Sequence, residues 1–226
     1  MTGAGVSAAS GVPTFRGPDG LWRTYRPEDL ATPQAFAQDP ALVWEWYAWR
    51  RQKVAACLPN AAHDVLARWS QRDGVRLITQ NVDDLHLRAG TRDPIRLHGS
   101  IWELKCFDGC TRGSIPWRDD RVPLPEVLPR CPFCRGYARP AVVWFGETLS
   151  ATEINHAQDA TTCDVFLTVG TSAVVYPAAG FVHEARSRGA FTAEINVDET
   201  PASARLDLSI RGAAEEILPA IDKLLS

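Results

Sequence analysis

Short apolar segments recur along the chain, and polar residues directly follow four of them. These four cover residues 75–79, 95–97, 164–169 and 191–195. Runs of this length, bounded by polar residues or glycine, are typical of buried β-strands. A further strand is predicted at 141–145, and a last short one near Ser209.

Helix signals lie between these strands. Thr32-Pro33 and Asp39-Pro40 each place an N-cap residue before a proline at the first helical position, and Asn60 is a further N-cap. Because strands alternate with helices, the sheet is predicted to be mainly parallel. Helices are predicted at 40–56, from 61 onward, at 83–89, at 177–188 and at 213–225, with a short one in the glycine-rich segment 2–11.

Polar residues stand at the carboxyl ends of these strands, where an open parallel sheet binds its ligands. Each predicted strand contributes a different set, namely Gln80 with Asn81, then His98, then Gly170-Thr171-Ser172, and finally Asn196. The repetition predicts a ligand site along this edge.

The middle of the chain, residues 101–140, has a different character. Cys106 and Cys110 form one close pair, Cys131 and Cys134 another, and 20 residues separate the pairs. Four thiolates in this spacing predict a tetrahedral structural zinc site that leaves no position open for catalysis. The alternative is a coincidental set of buried cysteines. The segment also shows little periodicity, so we expect the metal rather than an apolar core to hold it.

Composition narrows the possible functions. Hydrophobic residues make up 45% of the 226 residues and charged residues 23%, so the chain can bury a core. The net charge of −3 argues against nucleic acid as a partner. No apolar run is long enough to cross a bilayer and no secretory leader is visible, so we expect a cytoplasmic protein without a membrane partner.

Several motifs stand in a fixed order. They are TGAGVSAASGVPTFR at 2–16, TQNVD at 79–83, LHG at 97–99, the four cysteines, VWFGE at 143–147, GTS at 170–172 and IN at 195–196. This order resembles that of the sirtuins, which are NAD-dependent protein lysine deacylases. The resemblance covers nearly the whole chain. It implies an α/β fold with a Rossmann-like parallel sheet, helices on both faces, and a small zinc-ribbon and helical module.

The resemblance also implies a division of the chain. Residues 1–226 would form one catalytic unit, expected as a monomer. The large Rossmann-like domain would comprise 1–25, 60–100 and 141–226, and the small domain would comprise the helical insertion 26–59 and the zinc module 101–140.

By the same resemblance, NAD is the co-substrate and His98 the general base. Gln80 and Asn81 would hold the nicotinamide ribose, Asp83 would receive the nicotinamide carboxamide, and Phe15 would shield the ribose from water. The implied cofactor-binding residues are Gly3, Ala4, Gly5, Ser7, Phe15, Arg16, Gln80, Asn81, Asp83, Gly170, Thr171, Ser172, Asn196 and Ala213. Taken singly, these features also fit a tight glycine turn, an Asx turn and a histidine at a strand end.

Two groups of residues concern the acylated lysine substrate. Val142, Phe145, Gly146 and Glu147 resemble the strand edge to which an extended peptide adds. Tyr47 and Arg50 are three residues apart, so they share a helix face and could hold a carboxylate. With Ala31 they resemble the acyl pocket of class III sirtuins. The alternative is a core Tyr47 and a solvated Arg50.

The implied reaction is the removal of succinyl, malonyl and glutaryl groups from protein lysines in preference to acetyl. In it the acyl oxygen attacks the nicotinamide ribose, nicotinamide leaves, His98 assists the 2′-hydroxyl, and water releases O-acyl-ADP-ribose. Three alternatives stay open: lysine deacetylation, protein ADP-ribosylation, and a non-catalytic NAD-responsive binding module.

The start of the chain differs from the sirtuin pattern. An apolar strand of about six residues normally precedes the glycine loop, whereas only Met1 and Thr2 do so here. Since the first strand of a doubly wound sheet lies near its centre, we expect the working protein to begin upstream. The alternative is a natural truncation that leaves a weak or inactive protein.

Overall fold

The computed structural model describes residues 1–14 and 26–225. The described helices are α1 (Gly5–Ala8), α2 (Pro27–Leu30), α3 (Pro33–Gln38), α4 (Pro40–Ala55), α5 (Ala61–Ser70), α6 (Leu85–Arg88), α7 (Ala151–Asp159), α8 (Phe181–Ser187) and α9 (Ala214–Leu224). The strands are β1 (Ile78–Thr79), β2 (Ile95–Arg96), β3 (Gly99–Cys106), β4 (Trp117–Arg118), β5 (Ala138–Val142), β6 (Val165–Val169), β7 (Phe191–Asn196) and β8 (Leu208–Arg211). Every helix in this part of the chain is too short or too polar to cross a lipid bilayer.

The main sheet is parallel, as the alternation of strands and helices predicts. β1 pairs with β2, and β6, β7 and β8 pair in that order. Thr2 joins the two parts, because it forms parallel bridges to both Thr79 and Val169. Its amide donates to the Ile78 carbonyl at 2.8 Å, and its own carbonyl accepts from the Gln80 amide at 3.0 Å. This backbone pairing brings the glycine loop that follows Thr2 between β1 and β6. The expectation of an upstream start stays a prediction.

The N-cap predictions are confirmed. The Thr32 side chain accepts from the Ala35 amide at 3.0 Å, and Asp39 accepts from the Leu42 amide at 3.0 Å. Asn60 accepts from the Ala62 amide at 3.0 Å. Each of these bonds satisfies a donor that the first turn of a helix leaves free. They fix where α3, α4 and α5 begin, and α4 carries Tyr47 and Arg50 toward the candidate site.

The expectation that 101–140 has little apolar core is wrong. β3 and β5 pair antiparallel at the start and end of this segment, with β4 on the other edge of β3. Ile101 and Leu104 are buried in the same core cluster as Trp44 of α4. The Trp44 indole also donates to the Ala138 carbonyl at 2.9 Å. Trp102 and Leu104 alternate with Glu103 and Lys105, a period-two signal that predicts a half-buried strand.

Other boundaries differ from prediction in smaller ways. The pattern missed helix α7, and the segment 177–188 is a 3-10 turn at Ala178–Gly180 followed by α8. The strand predicted at 75–79 is reduced to β1, and the one predicted at 141–145 ends at Val142. Short strands next to loops are where a local pattern fixes boundaries least well.

Two backbone segments approach each other closely at the centre of the sheet. The Gly5 amide donates to the Gly170 carbonyl at 2.8 Å, and Gly170 has a φ of +59°. A Cβ atom on Gly170 would lie 2.5 Å from the Val6 amide nitrogen and 2.7 Å from the Gly5 carbonyl carbon. Only glycine fits such a contact, because neither backbone can retreat without breaking its pairing with the sheet.

We therefore expect Gly170→Ala to lower the free energy of unfolding by about 2–5 kcal/mol, combining left-handed backbone strain with steric overlap. Gly90→Ala is a matched control, since Gly90 has a φ of +89° and a Cβ there would meet nothing within 4 Å. It should lose only about 1–2 kcal/mol. Urea unfolding measures both, and equal losses would contradict the role assigned to the close approach.

Candidate functional site

A cavity of about 660 Å³ opens at the carboxyl ends of β1, β6 and β7. The structure brings together there most of the residues singled out in the sequence. Those lining the cavity are Gly3, Ala4, Gly5, Ala31, Tyr47, Arg50, Gln80, Asn81, His98, Val142, Phe145, Gly146, Glu147, Gly170, Thr171, Ser172, Asn196 and Ala213. Ser7 and Asp83 lie outside this lining, and Phe15 and Arg16 lie outside the described residues.

Side-chain amides tie the strand ends to one another on the cavity wall. The Gln80 amide donates to the Thr171 hydroxyl at 2.9 Å, and the Asn196 amide donates to the Thr171 carbonyl at 3.1 Å. Three strands that are distant in sequence therefore share one hydrogen-bonded rim. Next to this rim lie Gly3 and Gly5, where the backbone carries no side chain to keep a ligand away.

Ser7 and Asp83 form a buried network behind that wall. The Ser7 hydroxyl donates to the Asp83 carboxylate at 2.8 Å, and the Asn81 amide donates to Ser7 at 3.2 Å and to the Gly3 carbonyl at 3.0 Å. Burial raises the pKa of Asp83, although bonds from the Leu85 amide and Ser7 oppose that shift. The network fixes Asn81, which does line the cavity. The expected contact of Asp83 with a carboxamide stays a prediction.

His98 is held in one orientation with a defined proton. Its Nδ1 lies 3.0 Å from the Gln80 carbonyl oxygen. A carbonyl can only accept, so Nδ1 carries the proton and Nε2 keeps its lone pair. Burial lowers the pKa of His98, and the bond to Gln80 offsets part of that shift. The imidazole is therefore neutral near pH 7 and can accept a proton at Nε2.

Tyr47 and Arg50 lie side by side in the cavity wall, both almost fully buried at 2% and 6% exposure. The alternative of a solvated Arg50 is therefore wrong. The Tyr47 hydroxyl accepts from the Trp144 indole at 2.9 Å, and Tyr47 also belongs to the core cluster. Burial lowers the pKa of Arg50, while Tyr47 and Asp83 raise it. A cation in such a dry place interacts strongly with any anion that enters.

One lining residue beside this pair was missed in the sequence. Trp46 lies under Arg50, with the guanidinium carbon 4.7 Å from the ring centroid. Residues four apart face the same side of a helix, so the spacing of Trp46 and Arg50 on the predicted helix was the available signal. The aromatic face stabilises the guanidinium by a cation–π contact.

The segment after β5 is held in place by hydrogen bonds to neighbouring backbone and side chains. The Phe145 amide donates to the Ala31 carbonyl at 2.9 Å, which ties this segment to α2 and α3. The Glu147 carboxylate accepts from Arg139 at 3.0 Å and from the Trp144 amide at 2.8 Å. The hydrogen bonds of Glu147 thus stabilise the turn that follows β5. Phe145 is 44% exposed at the cavity.

The four paired cysteines converge at one point. Their sulfur atoms all lie within 4.8 Å of one another, with Cys106 and Cys134 at 3.6 Å and Cys110 and Cys131 at 3.7 Å. Zn–S bonds of about 2.3 Å in a tetrahedron require sulfur atoms about 3.8 Å apart. The Gly113 amide points at the Cys110 sulfur at 3.3 Å, which stabilises a thiolate. The four residues therefore fit a structural zinc ion.

Comparison with known proteins adds sequence and structural relatives. A family model described as "Sir2 family" matches residues 3–177. The "NAD-dependent protein deacylase 1" of Archaeoglobus fulgidus is 49% identical over 220 residues, which cover 96% of this chain and 88% of that protein. The zebrafish (Danio rerio) "NAD-dependent protein deacylase sirtuin-5, mitochondrial" is 43% identical, covering 97% of this chain and 80% of that protein. A solved Sir2 homologue–NAD complex is 48% identical with a TM-score of 0.89, covering 100% of this chain and 89% of that one.

We expect one zinc ion per chain in freshly purified protein that has met no chelator. Cys110→Ser should lose the metal, because it removes one of four thiolates. Cys163→Ser is a matched control, since Cys163 is likewise half-buried and outside any disulfide, but it does not belong to the four-cysteine cluster. Elemental analysis measures zinc in each variant. Less than half an equivalent in the parent protein, or equal zinc loss in the two variants, would contradict the assignment.

Proposed function

The chain belongs to the Sir2 family and is an NAD-dependent protein deacylase, and we propose that it prefers lysine acyl groups that end in a carboxylate. The observation that supports this preference is the buried Arg50 in the cavity wall, next to Tyr47 and Ala31. Its substrates are acylated lysine side chains of proteins. Succinyl, malonyl and glutaryl groups carry the required carboxylate, and acetyl does not.

Arg50 supplies both the charge and the geometry for this choice. A guanidinium offers two parallel donors to a carboxylate, which gives affinity and orientation together. Burial weakens competition from water, so a carboxylate that enters gains more from Arg50 than it would at the surface. An acetyl group carries no negative charge that could pair with the buried guanidinium. Discrimination therefore arises in the acyl pocket rather than in the peptide sequence.

Tyr47 and Ala31 complete the pocket. Because the Tyr47 oxygen already accepts from the Trp144 indole, the phenolic proton is the group it can offer to a carboxylate. Ala31 is a small, buried lining residue, so it leaves room for a longer acyl chain. The pattern resembles that of the class III sirtuins, and the relative named sirtuin-5 supports the same reading.

The residues of the other cavity end would hold NAD. We propose that Gly3 to Gly5, Gly170 to Ser172, Asn196 and Ala213 hold its phosphates and adenosine, and that Gln80 and Asn81 hold the nicotinamide ribose. Bound there, NAD would supply an activated ribose carbon with nicotinamide as the leaving group. His98, with its lone pair at Nε2, takes a proton from a ribose hydroxyl. The close fit of two backbones around Gly170 leaves no side chain between the glycine loop and the end of β6.

Reaction products separate this proposal from its alternatives. Acyl-ADP-ribose identifies deacylation, and a heavier protein identifies ADP-ribosyl transfer. The absence of both products identifies a binding module. Acetyl, malonyl, succinyl and glutaryl peptides compared at equal concentration then rank the acyl groups. We further propose a cytoplasmic monomer that does not bind nucleic acid, with the two-domain division expected from the sequence.

Arg50→Ala should reduce kcat/KM for a succinyl peptide roughly 10- to 150-fold, since a charge-assisted bond contributes about 1.5–3 kcal/mol. The value for an acetyl peptide should change far less. Lys53→Ala is the matched control, because Lys53 is an exposed cation on the same helix. Steady-state kinetics with both peptides provides the measurement. Equal losses on both peptides in the Arg50 variant would refute the preference.

His98→Ala should remain folded and bind NAD, yet lose product formation by about 10²-fold or more. The pH dependence of the parent enzyme provides a second test. The neutral imidazole is the active form, so kcat/KM is lost as pH falls through the pKa of His98. Because burial lowers that pKa, kcat/KM should still exceed half its plateau value at pH 6.5, the ordinary histidine pKa.

His156→Ala removes an exposed histidine and is the control. It should leave both the rate and the pH profile unchanged. An active His98 variant, or an acid limb with its midpoint above pH 6.5 in the parent, would contradict the role proposed for His98.

A further inference from the structure

Glu194 is a buried carboxylate beside the cavity that the proposed reaction does not use. It lies within β7, where it is paired with Thr168 of β6 on one side and Ser209 of β8 on the other. It is only 2% exposed, although a charged group in a sheet interior is costly unless hydrogen bonds satisfy it.

Four donors satisfy this carboxylate. Oε2 accepts from the Thr200 hydroxyl at 2.8 Å, and Oε1 accepts from Ser209 at 2.7 Å, from Arg211 at 3.2 Å and from the Ser203 hydroxyl. Burial by itself would raise the pKa of Glu194, but the bonds from Ser203, Ser209 and Thr200 outweigh it and lower the pKa. Glu194 therefore stays ionised, and an ionised carboxylate only accepts.

Two of these donors belong to the loop that leaves β7. Thr200 and Ser203 lie in the connection between β7 and β8, and Glu194 draws both toward the strand they have just left. Arg211 adds a second tie, because it donates to the Asp198 carbonyl at 2.7 Å and to the Ser203 hydroxyl at 3.1 Å. The pair Glu194–Arg211 thus clamps residues 198–203 onto β7 and β8.

The clamped loop is itself part of the cavity wall. Residues 197–200 line it directly after Asn196, next to Gly212 and Ala213. One side of the loop faces the cavity while its Thr200 hydroxyl reaches back to Glu194. A shift of this loop would change the cavity at that end without touching His98 or Arg50.

We propose that Glu194 is a positioning residue for NAD, acting through the loop 197–203 to shape the end of the cavity beyond Asn196. The proposal rests on the proposed function in one respect, namely that the adenosine half of NAD binds at the end of the cavity beyond Asn196. Glu194 governs how tightly NAD is held and leaves the chemical step to other residues.

Asp207 offers a matched control on the same sheet. It too is a carboxylate that accepts hydrogen bonds, here from the Thr192 amide and hydroxyl at 2.8 Å each, although it is exposed where Glu194 is buried. It also faces an arginine, with Arg186 at 3.4 Å. It contacts Thr192 near the amino end of β7, however, and it does not line the cavity.

The experiment compares Glu194→Gln and Asp207→Asn with the parent enzyme. Each substitution keeps the side-chain size and replaces an acceptor oxygen by a donor amide. Calorimetry gives the Kd for NAD, steady-state kinetics gives KM for NAD and kcat, and a melting curve gives Tm. Glu194→Gln should raise Kd and KM for NAD about tenfold, with kcat at saturating NAD within about twofold, because the charge-assisted bonds that seat the loop are lost. Asp207→Asn should leave NAD binding unchanged.

Both variants should lower the melting temperature. If only Glu194→Gln also weakens NAD binding, the weaker binding is not a consequence of lower general stability. A Kd for NAD within twofold of the parent in Glu194→Gln, or an equal rise in Asp207→Asn, would overturn the proposal. So would a fall in kcat with KM for NAD unchanged. The acyl preference is tested by the rates on the different acyl peptides. The role of Glu194 is tested separately, by the Kd for NAD, and that test holds even if the acyl preference fails.

Discussion

The contact between the Gly3-Ala4-Gly5 loop and Gly170 is the constraint on which the rest of the site depends. Two backbones meet there with no side chain between them, and the Gly5 amide bonds the Gly170 carbonyl at 2.8 Å. Thr2 lies directly before this loop and pairs with strands on both sides. The contact therefore fixes the relative positions of β1 and β6, and it brings their carboxyl ends to one cavity. A larger residue on either side would separate them.

Carboxyl groups held by hydrogen bonds then support the walls of the cavity. Asp83 is held by Ser7, Glu194 by loop hydroxyls and Arg211, and Glu147 by Arg139. Asp83 and Glu194 are buried and Glu147 is half-buried, so each carboxyl group loses free energy if its donors move away. The need to satisfy these groups makes the walls rigid. Arg50 is a buried cation that lines the cavity.

The antiparallel sheet links the metal cluster to the same cavity. β3 begins at Gly99, one residue after His98, and ends at Cys106. β5 returns from the cluster to Val142, which lines the cavity. A metal that ties Cys106 to the other three thiolates would thus restrain the far end of strands whose near end lies next to His98. Zinc can support the site in this way without taking part in the chemistry.

The sequence by itself determined where α3, α4 and α5 begin, the parallel sheet and the four-cysteine cluster, because an N-cap, an apolar run or a cysteine pair acts on its near neighbours. Its resemblance to the sirtuins supplied many of the residues that line the cavity. It could not reveal that Arg50 is buried, that Ser7 and Asp83 lie behind the cavity wall, or that Glu194 holds a loop. Those facts depend on contacts between residues far apart in the chain, such as Glu194 with Ser209 and Ser7 with Asp83. Only tertiary packing decides which polar groups leave water together, and therefore which of them shape the site.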